Sequence, residues 1–219
     1  AAQSASTSSN LQVWSVIAVE DAGRKARLAA LAANQVHVAR APLVLLWLAD
    51  LARLQQISVQ QGEPGEGLDY FEAFLLAAVD AALAAQNAAL AFESLGLGCC
   101  YIGGMRNQAE AVAAELGLPP HVFAMFGMTV GKPDPARLPD AKPRLPQDAI
   151  LFREQYQWDE PQRAAIALYN ERLRAFQRAQ NMREQDWSAQ AAARVRDKEA
   201  LTCRHVLRDV LHKFGFKLR

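Results

Sequence analysis

The chain has 219 residues, 51% of them hydrophobic and 21% charged, with a formal net charge of +1. This is ordinary globular composition, and it excludes a chain too short or too polar to bury a core; the length fits one large domain, or one domain with an extension. The charge is uneven: residues 1–100 carry five Lys or Arg against nine Asp or Glu, a balance of −4, and residues 151–219 carry fourteen against nine, a balance of +5. The basic end can meet nucleic acid, an anionic ligand, the acidic body of the same fold, or a partner subunit.

The stretch "TSSNLQ" (7–12) places the hydroxyls of Thr7, Ser8 and Ser9 ahead of "LQVWSVIAVE" (11–20), whose β-branched and aromatic residues predict a strand. Those hydroxyls either donate to phosphate or ribityl oxygens or cap a frayed end. No basic stretch followed by an apolar run marks a secretory signal here. Asp21 is placed to cap "AGRKARLAALAANQ", in which Leu28, Leu31 and Ala32 recur at helical spacing. "APLVLLWLAD" (41–50) is an unbroken apolar run of strand length, as expected of a strand covered on both faces. Residues 58–68 are glycine-rich and acidic and predict a loop.

The spacing then predicts one long helix over 69–95, apolar on most sides and so central and wrapped by other elements. Glu72, Asp80, Gln86 and Asn87 interrupt it, so it is not expected to span a bilayer. Gly96 and Gly98 are placed to end it. "CCYI" predicts a short strand entering the Gly103–Gly104 turn of "YIGGMRN" (101–107). Its adjacent Cys99 and Cys100 are either a vicinal dithiol or two small hydrophobes of a buried strand. With Cys203 they make an odd count that suits a reducing cytoplasm better than a disulfide framework. A Gly-Gly pair lets backbone N–H groups approach a ligand without Cβ interference, and it also serves a plain strand–helix turn.

Asn107 is placed to cap a compact helix ending at "GLPP" (117–120), and "HVFAMFGMTVG" (121–131) predicts another buried strand. From 132 to 148 five prolines predict an irregular surface path. Within it, Pro143 forces Lys142 out of the helical region, so Lys142 and Arg144 share a face of an extended chain. Two cations so aligned are either a phosphate or carboxylate clamp or two solvated charges. Helices are predicted over 161–180 and, with a break, over 187–214. The element order predicts an α+β or α/β fold.

No dinucleotide glycine fingerprint or Walker-type loop is present, and His37, His121, His205 and His212 show no metal spacing. No serine lies in a nucleophile elbow, and Cys203 has no evident base. No catalytic side chain and no metal site are therefore predicted. Binding features without an acid, base or metal set point to chemistry carried by a cofactor.

"SSNLQ", "NQVHVARAP", "ESLGLGCCYIGGMRN", "ELGLPPHVFAMFGMTVGKP" and "KPRLP", in this order, resemble the NADPH-dependent flavin oxidoreductases of the oxygen-insensitive nitroreductase superfamily. The resemblance covers almost the whole chain and is greatest to the branch with a long helical C-terminal extension. It implies an α+β fold: a mixed sheet flanked by helices, a long interface helix, and an entwined homodimer with FMN between subunits. Residues 1–152 would form the FMN-binding core, and 153–219 an extension that wraps the partner and contacts NADPH. Carried over by position, Thr7, Ser8, Ser9 and Gln35 would contact FMN. Tyr101, Ile102, Gly103 and Gly104 would line its ring, and Lys142 and Arg144 would take its phosphate. Arg178 and Arg183, in "RAQNMREQDWS", would hold the extra phosphate of NADPH. The family's N-terminal helix and its serine-and-arginine motif have no match in the chain.

The implied activity is that of a cytoplasmic flavoprotein oxidoreductase. It would pass hydride from NADPH to FMN and then, ping-pong, to a nitroaromatic, a quinone or free flavin. The alternative is a flavin-binding protein with little turnover. A nucleic-acid module built on Arg194–Arg208 ranks last, because Asp197 and Glu199 interrupt the basic stripe and no aromatic platform accompanies it. Neither nucleic acid nor a membrane is an expected partner.

Overall fold

The structure is a computed structural model that describes residues 1–137 and 140–219; two residues of the proline-rich stretch, 138 and 139, lie outside the description. The described residues form two compact units, 1–133 with 203–219, and 134–202.

The first unit is built on four strands: β1 (Trp14–Val19), β2 (Leu43–Asp50), β3 (Gly98–Ile102) and β4 (Val122–Gly131). Their order is β1-β2-β4-β3. β2 pairs antiparallel with β1 from Trp14↔Ala49 to Val19↔Val44, and with β4 across a register shift at Trp47/Leu48. β3 pairs antiparallel with β4. The expected mixed sheet is thus wholly antiparallel among the described residues, within the α+β class that was expected.

The apolar run of β2 follows from its position. Alternate strand residues face opposite sides. Val44, Leu46 and Leu48 enter one core with Leu28, Val38 and Val112. Leu45 and Trp47 enter another, beneath Ala84, Ala85 and Ala88. Each face of the strand is covered, so no polar alternation survives.

On the first face lie α1 (Ala22–Leu31), α2 (Val36–Arg40) and α5 (Ala109–Leu116), which supply Leu28, Val38 and Val112. Asp21 caps α1 as expected, accepting from the Arg24 N–H at 2.7 Å. The cap predicted for α5 is corrected: Gln108 precedes the helix, and the Asn107 side chain is engaged elsewhere. The predicted loop over 58–68 is also corrected at its start. α3 (Ala52–Gln60) runs through Ser58, and the Arg53 N–H at its first turn reaches Asp50 Oδ1 at 3.3 Å.

α4 (Phe71–Ser94) is the long helix, and its burial inverts the expected pattern. Its buried residues are Ala73, Ala77, Ala81, Ala84, Ala85, Ala88 and Ala89, with Asp80. Phe71, Leu75, Val79, Leu83 and Leu90 are exposed. Small side chains let the helix lie close to the sheet, while the bulky row faces outward. Among the described residues of the first unit, the helix is therefore not wrapped on that side. It is also the one helix among the described residues long and apolar enough to cross a membrane, by length and composition alone. Gly96 ends it in a left-handed conformation, whereas Gly98 opens β3.

α8 (Leu207–Lys213) returns the chain to the first unit, where Val210 and Leu211 join Phe123 and Phe216. His121, just before β4, has a left-handed backbone, φ 64°. Its N–H donates to the Phe214 carbonyl at 2.7 Å, and its carbonyl accepts from the Leu51 N–H at 2.9 Å. Burial lowers the His121 pKa from its ordinary 6.5; Asp69 opposes that shift and Lys217 adds to it. A depressed folded pKa means that the unfolded chain takes up the proton first. Stability contributed by neutral His121 is therefore lost as pH falls below the unfolded value of about 6.5, until the folded value is passed. His121→Asn, which tolerates the left-handed backbone, should flatten a plot of urea midpoint against pH below neutrality. Parallel plots for the two proteins would place the titration on another group.

The second unit contains α6 (Glu160–Ala179) and α7 (Trp187–Arg194). Gln162 Oε1 accepts from the Asp159 N–H at 3.1 Å and fixes the start of α6. Ala165, Tyr169, Leu173 and Gln177 recur every four residues along its buried stripe. The Asn170 amide both donates to Ser188 Oγ and accepts from the Ser188 N–H, tying α7 to α6.

Candidate functional site

The turn after β3 is fixed by close neighbours on both of its glycines. Ile102 is buried in the core, so it offers a ligand its backbone alone. Tyr101, on the other strand face, is exposed. Its ring meets Phe126 edge-on at 5.4 Å, and its hydroxyl donates to Gln86 Oε1 at 3.3 Å. Burial pushes its phenol pKa up, with Cys99 and Glu93 adding to the shift.

Gly103–Arg106 forms a single 3-10 turn. A Cβ added at Gly104 would lie 2.5 Å from Gln35 Nε2, 3.0 Å from the Ala32 carbonyl oxygen and 3.2 Å from Ala32 Cβ. Gln35 Nε2 itself donates to that carbonyl at 2.8 Å. Gln35, Gly103 and Gly104, more than sixty residues apart in sequence, are thereby brought together. Gly104→Ala should displace Gln35 and cost about 1–3 kcal/mol, the usual range for overpacking. The check is a denaturant titration, and a variant equal to the parent would show that the packing yields.

Gly103 faces a different neighbourhood. A Cβ there would lie 3.5 Å from Arg106 Nη2, 3.7 Å from Arg204 Nη1 and 3.9 Å from Arg204 Nη2. Arg106 also donates from Nη1 to the Met125 carbonyl. Arg204 Nε donates to Asn107 Oδ1 at 2.8 Å. Burial lowers the Arg106 pKa, and the neighbouring Arg204 charge lowers it further. Two guanidiniums thus flank a bare stretch of backbone. Sequence reasoning misses both: Arg106 looks like part of a turn, and Arg204 lies about a hundred residues downstream.

Thr7 and Ser8 form a second locus, on α4. Thr7 Oγ1 donates to the buried carboxylate of Asp80 and accepts from the Gln12 N–H at 2.9 Å. The N–H groups of Ser8 and Val13 donate to the same carboxylate at 3.3 and 3.2 Å. The Thr7 hydroxyl is therefore already engaged in both directions. Ser9, exposed in the turn with φ 48°, keeps an outward position.

Lys142, Arg144, Arg178 and Arg183 belong to the second unit. Lys142 and Arg144 are exposed. Arg144 Nη1 reaches the carbonyls of Lys142 and Pro143 at 3.2 and 3.4 Å, and Tyr169 Oη donates to the Pro143 carbonyl at 3.1 Å. Arg178 makes a two-pronged pair with Glu184, at 3.0 and 2.9 Å; its hydrogen bond lowers the Glu184 pKa, and its charge lowers it further. Arg183 is exposed nearby in the sequence.

Cys99 is half-buried and Cys100 exposed, on an edge strand and not a buried one. Consecutive strand residues face opposite sides, so the two thiols diverge instead of forming a dithiol pair. Among the described residues no group of three or more His, Cys, Asp or Glu is placed to hold a metal.

An antiparallel α+β unit carrying a glycine turn beneath a glutamine, followed by a helical C-terminal region, defines a class with known members. The chain belongs to the nitroreductase family: residues 1–132 match the Nitroreductase family model and residues 142–219 match that of the Nitroreductase family, C-terminal domain. It is 39% identical to the FMN reductase (NADPH) of Bacillus subtilis over 98% of this chain and 86% of that protein. It is 40% identical to the oxygen-insensitive NADPH nitroreductase of Salmonella typhimurium over 100% of this chain and 87% of that protein. The solved structure of the NfrA1 nitroreductase from Bacillus subtilis matches with a TM-score of 0.91 and 38% identity, covering 100% of this chain and 87% of the other.

Proposed function

We propose that the protein is an NADPH-dependent FMN oxidoreductase that reduces nitroaromatics, quinones or free flavin by ping-pong hydride transfer. The observation that carries this reading is the turn at Gly103–Gly104. Gly104 is packed beneath Gln35, and Gly103 is bare beside two guanidiniums. A planar, electron-accepting ring needs a flat ledge without Cβ atoms and positive charge where electrons arrive. The ledge and its cations fit FMN on both counts.

When bound, FMN would supply the two-electron chemistry that links NADPH to an acceptor. Tyr101, Ile102, Gly103 and Gly104 line the ring, three of them through backbone and Tyr101 also through its exposed aromatic face. Gln35 is oriented by the Ala32 carbonyl and presents its amide at the turn. Arg106 and Arg204 add positive charge beside Gly103. Thr7, Ser8 and Ser9 contact the cofactor from the Asp80-anchored turn, Thr7 and Ser8 chiefly by fixing its shape. Lys142 and Arg144 take the cofactor phosphate. Arg178 and Arg183 hold the extra phosphate of NADPH; the Arg178 fork already grips a carboxylate, a geometry that suits phosphate equally. No side chain is required to donate or remove a proton, which accords with the lack of an acid–base pair in the sequence.

A homodimer belongs to this reading. The exposed row of Phe71, Leu75, Val79, Leu83 and Leu90 supports a partner laid along α4, with 1–152 as the core and 153–219 as the wrapping extension. The thiols of Cys99, Cys100 and Cys203 are all free, which supports a reducing, cytoplasmic setting.

The test is spectroscopic. Purified protein should be yellow, its flavin absorbance should bleach on anaerobic addition of NADPH, and a quinone should restore it. Protein that stays colourless with FMN in excess would overturn the proposal. A yellow protein that NADPH does not bleach would reassign it as a flavin carrier.

A further inference from the structure

The Arg178–Glu184 pair joins the end of α6 to the loop that follows it, yet that loop is held without the pair. Gln177 is buried, at 4% exposure; its Oε1 accepts from the Gln185 N–H and its carbonyl from the Met182 N–H, each at 2.8 Å. Arg174 pairs with the Asp186 carboxylate. The chain is thus anchored to α6 on both sides of Glu184 before Arg178 is counted. The pair itself is open to water, with the Arg178 side chain 69% exposed and that of Glu184 39%. An exposed pair adds little to stability. Its geometry is nevertheless complete: Arg178 Nε donates to Oε1 and Nη2 to Oε2, one bond to each oxygen. The hydrogen bond from Arg178, then its charge and that of Arg174, hold the Glu184 carboxyl below its ordinary range, so it is ionised at neutral pH.

A phosphate cannot enter the Arg178 fork while the carboxylate fills it, and two anions side by side repel. A ribose hydroxyl meets no such obstacle. Each carboxylate oxygen has a lone pair beyond the one turned to Arg178, so Glu184 can accept from a hydroxyl with the pair intact. NADPH and NADH differ at one place, a 2′-phosphate against a 2′-hydroxyl. An arginine for the phosphate and an acidic side chain for the hydroxyl are the recurring answers to that difference. Here the two stand bonded to one another.

We infer that Glu184 sets the choice of reductant: it occupies the Arg178 fork until the 2′-phosphate of NADPH displaces it, and it accepts from the 2′-hydroxyl of NADH. The inference rests on the reading above that Arg178 takes the extra phosphate of NADPH. It adds a competitor within the chain, which narrows the preference for NADPH without abolishing it.

NADP+ and NAD+ differ by that phosphate alone and cannot reduce a flavin, so each can be titrated calorimetrically into the oxidised protein. Glu184→Gln keeps the shape of the side chain and removes its charge. It should tighten NADP+ up to about fivefold, the whole worth of an exposed ion pair. It should weaken NAD+ about threefold, since an amide oxygen is the poorer acceptor. The ratio of the two affinities should therefore rise about tenfold, and kcat/KM for NADPH over NADH should rise with it. Arg178→Gln should weaken NADP+ and leave NAD+ little changed. In the Arg178→Gln background, adding Glu184→Gln should gain less for NADP+ than it does in the parent, because no fork is left to release.

An unchanged ratio in Glu184→Gln, with Arg178→Gln still weakening NADP+, would overturn the inference and leave the phosphate reading intact. An equal gain in both backgrounds would do the same, reducing Glu184 to a general negative charge. Arg178→Gln that binds NADP+ as the parent does would sink the phosphate reading first and this inference with it.

Discussion

Replacing Lys142 and Arg144 together by alanine should strip FMN from the protein, raising its dissociation constant about 100-fold or more. Each charge-assisted bond to phosphate is worth about 1.5–3 kcal/mol, and about 1.4 kcal/mol is a factor of ten. The two side chains stand in a segment without regular secondary structure, and the Pro143 carbonyl between them is held by Tyr169. Little ordering entropy is therefore lost when they close on an anion. The measurement is equilibrium dialysis of FMN, with far-ultraviolet circular dichroism to show that the fold persists. Each single variant should lose part of the effect, and Arg144→Lys should recover less than charge alone would allow, since an ammonium lacks the planar fork. Undiminished retention in the double variant would return the pair to ordinary surface charge.

The second large effect belongs to Asp80. Asp80 is 2% exposed, the one charged residue among the buried alanines of α4, and its carboxylate gathers three donors, from Thr7, Ser8 and Val13. Asp80→Ala strands those donors, the buried Val13 N–H above all, and should cost about 2–4 kcal/mol of stability. Asp80→Asn keeps an acceptor oxygen but turns an amide N–H₂ toward other donors, so an intermediate loss is expected. Thr7→Val removes one donor and leaves the carboxylate two, and should cost least. Urea unfolding of the three variants gives the order directly. A wild-type midpoint for Asp80→Ala would show that water takes over the three donors. Because the same carboxylate fixes the turn that carries Ser9, FMN affinity should fall along with stability.

Legibility of the sequence followed how local each constraint was. β2 could be read because an unbroken apolar run of eight or so residues suits a strand covered on both faces and little else. α1 could be read because Asp21 sits where a cap belongs. α3 was missed because none of its residues is buried, so no stripe marks it against the glycine-rich stretch that follows. The orientation of α4 was not readable either. Alanine and leucine count alike in an apolar pattern, and only packing decides which kind faces the sheet. Asn107 shows the same limit at the site. In sequence it is a sound helix cap, but the Arg204 guanidinium, 97 positions away, claims its side-chain oxygen. Gly103 and Gly104 were visible as a pair, but their division of labour emerges only in three dimensions. One glycine is demanded by Gln35 and Ala32, and the other lies open to two cations.

The outward row of α4 has a thermodynamic corollary. Phe74, Leu76 and Phe92 pack inward, but the outward row of Phe71, Leu75, Val79, Leu83 and Leu90 stays exposed in a lone chain. A second copy covering that row would couple folding to association, so mass action would enter the melting curve. The midpoint temperature would then climb with protein concentration, and dilution would unfold the molecule at constant heat and pH.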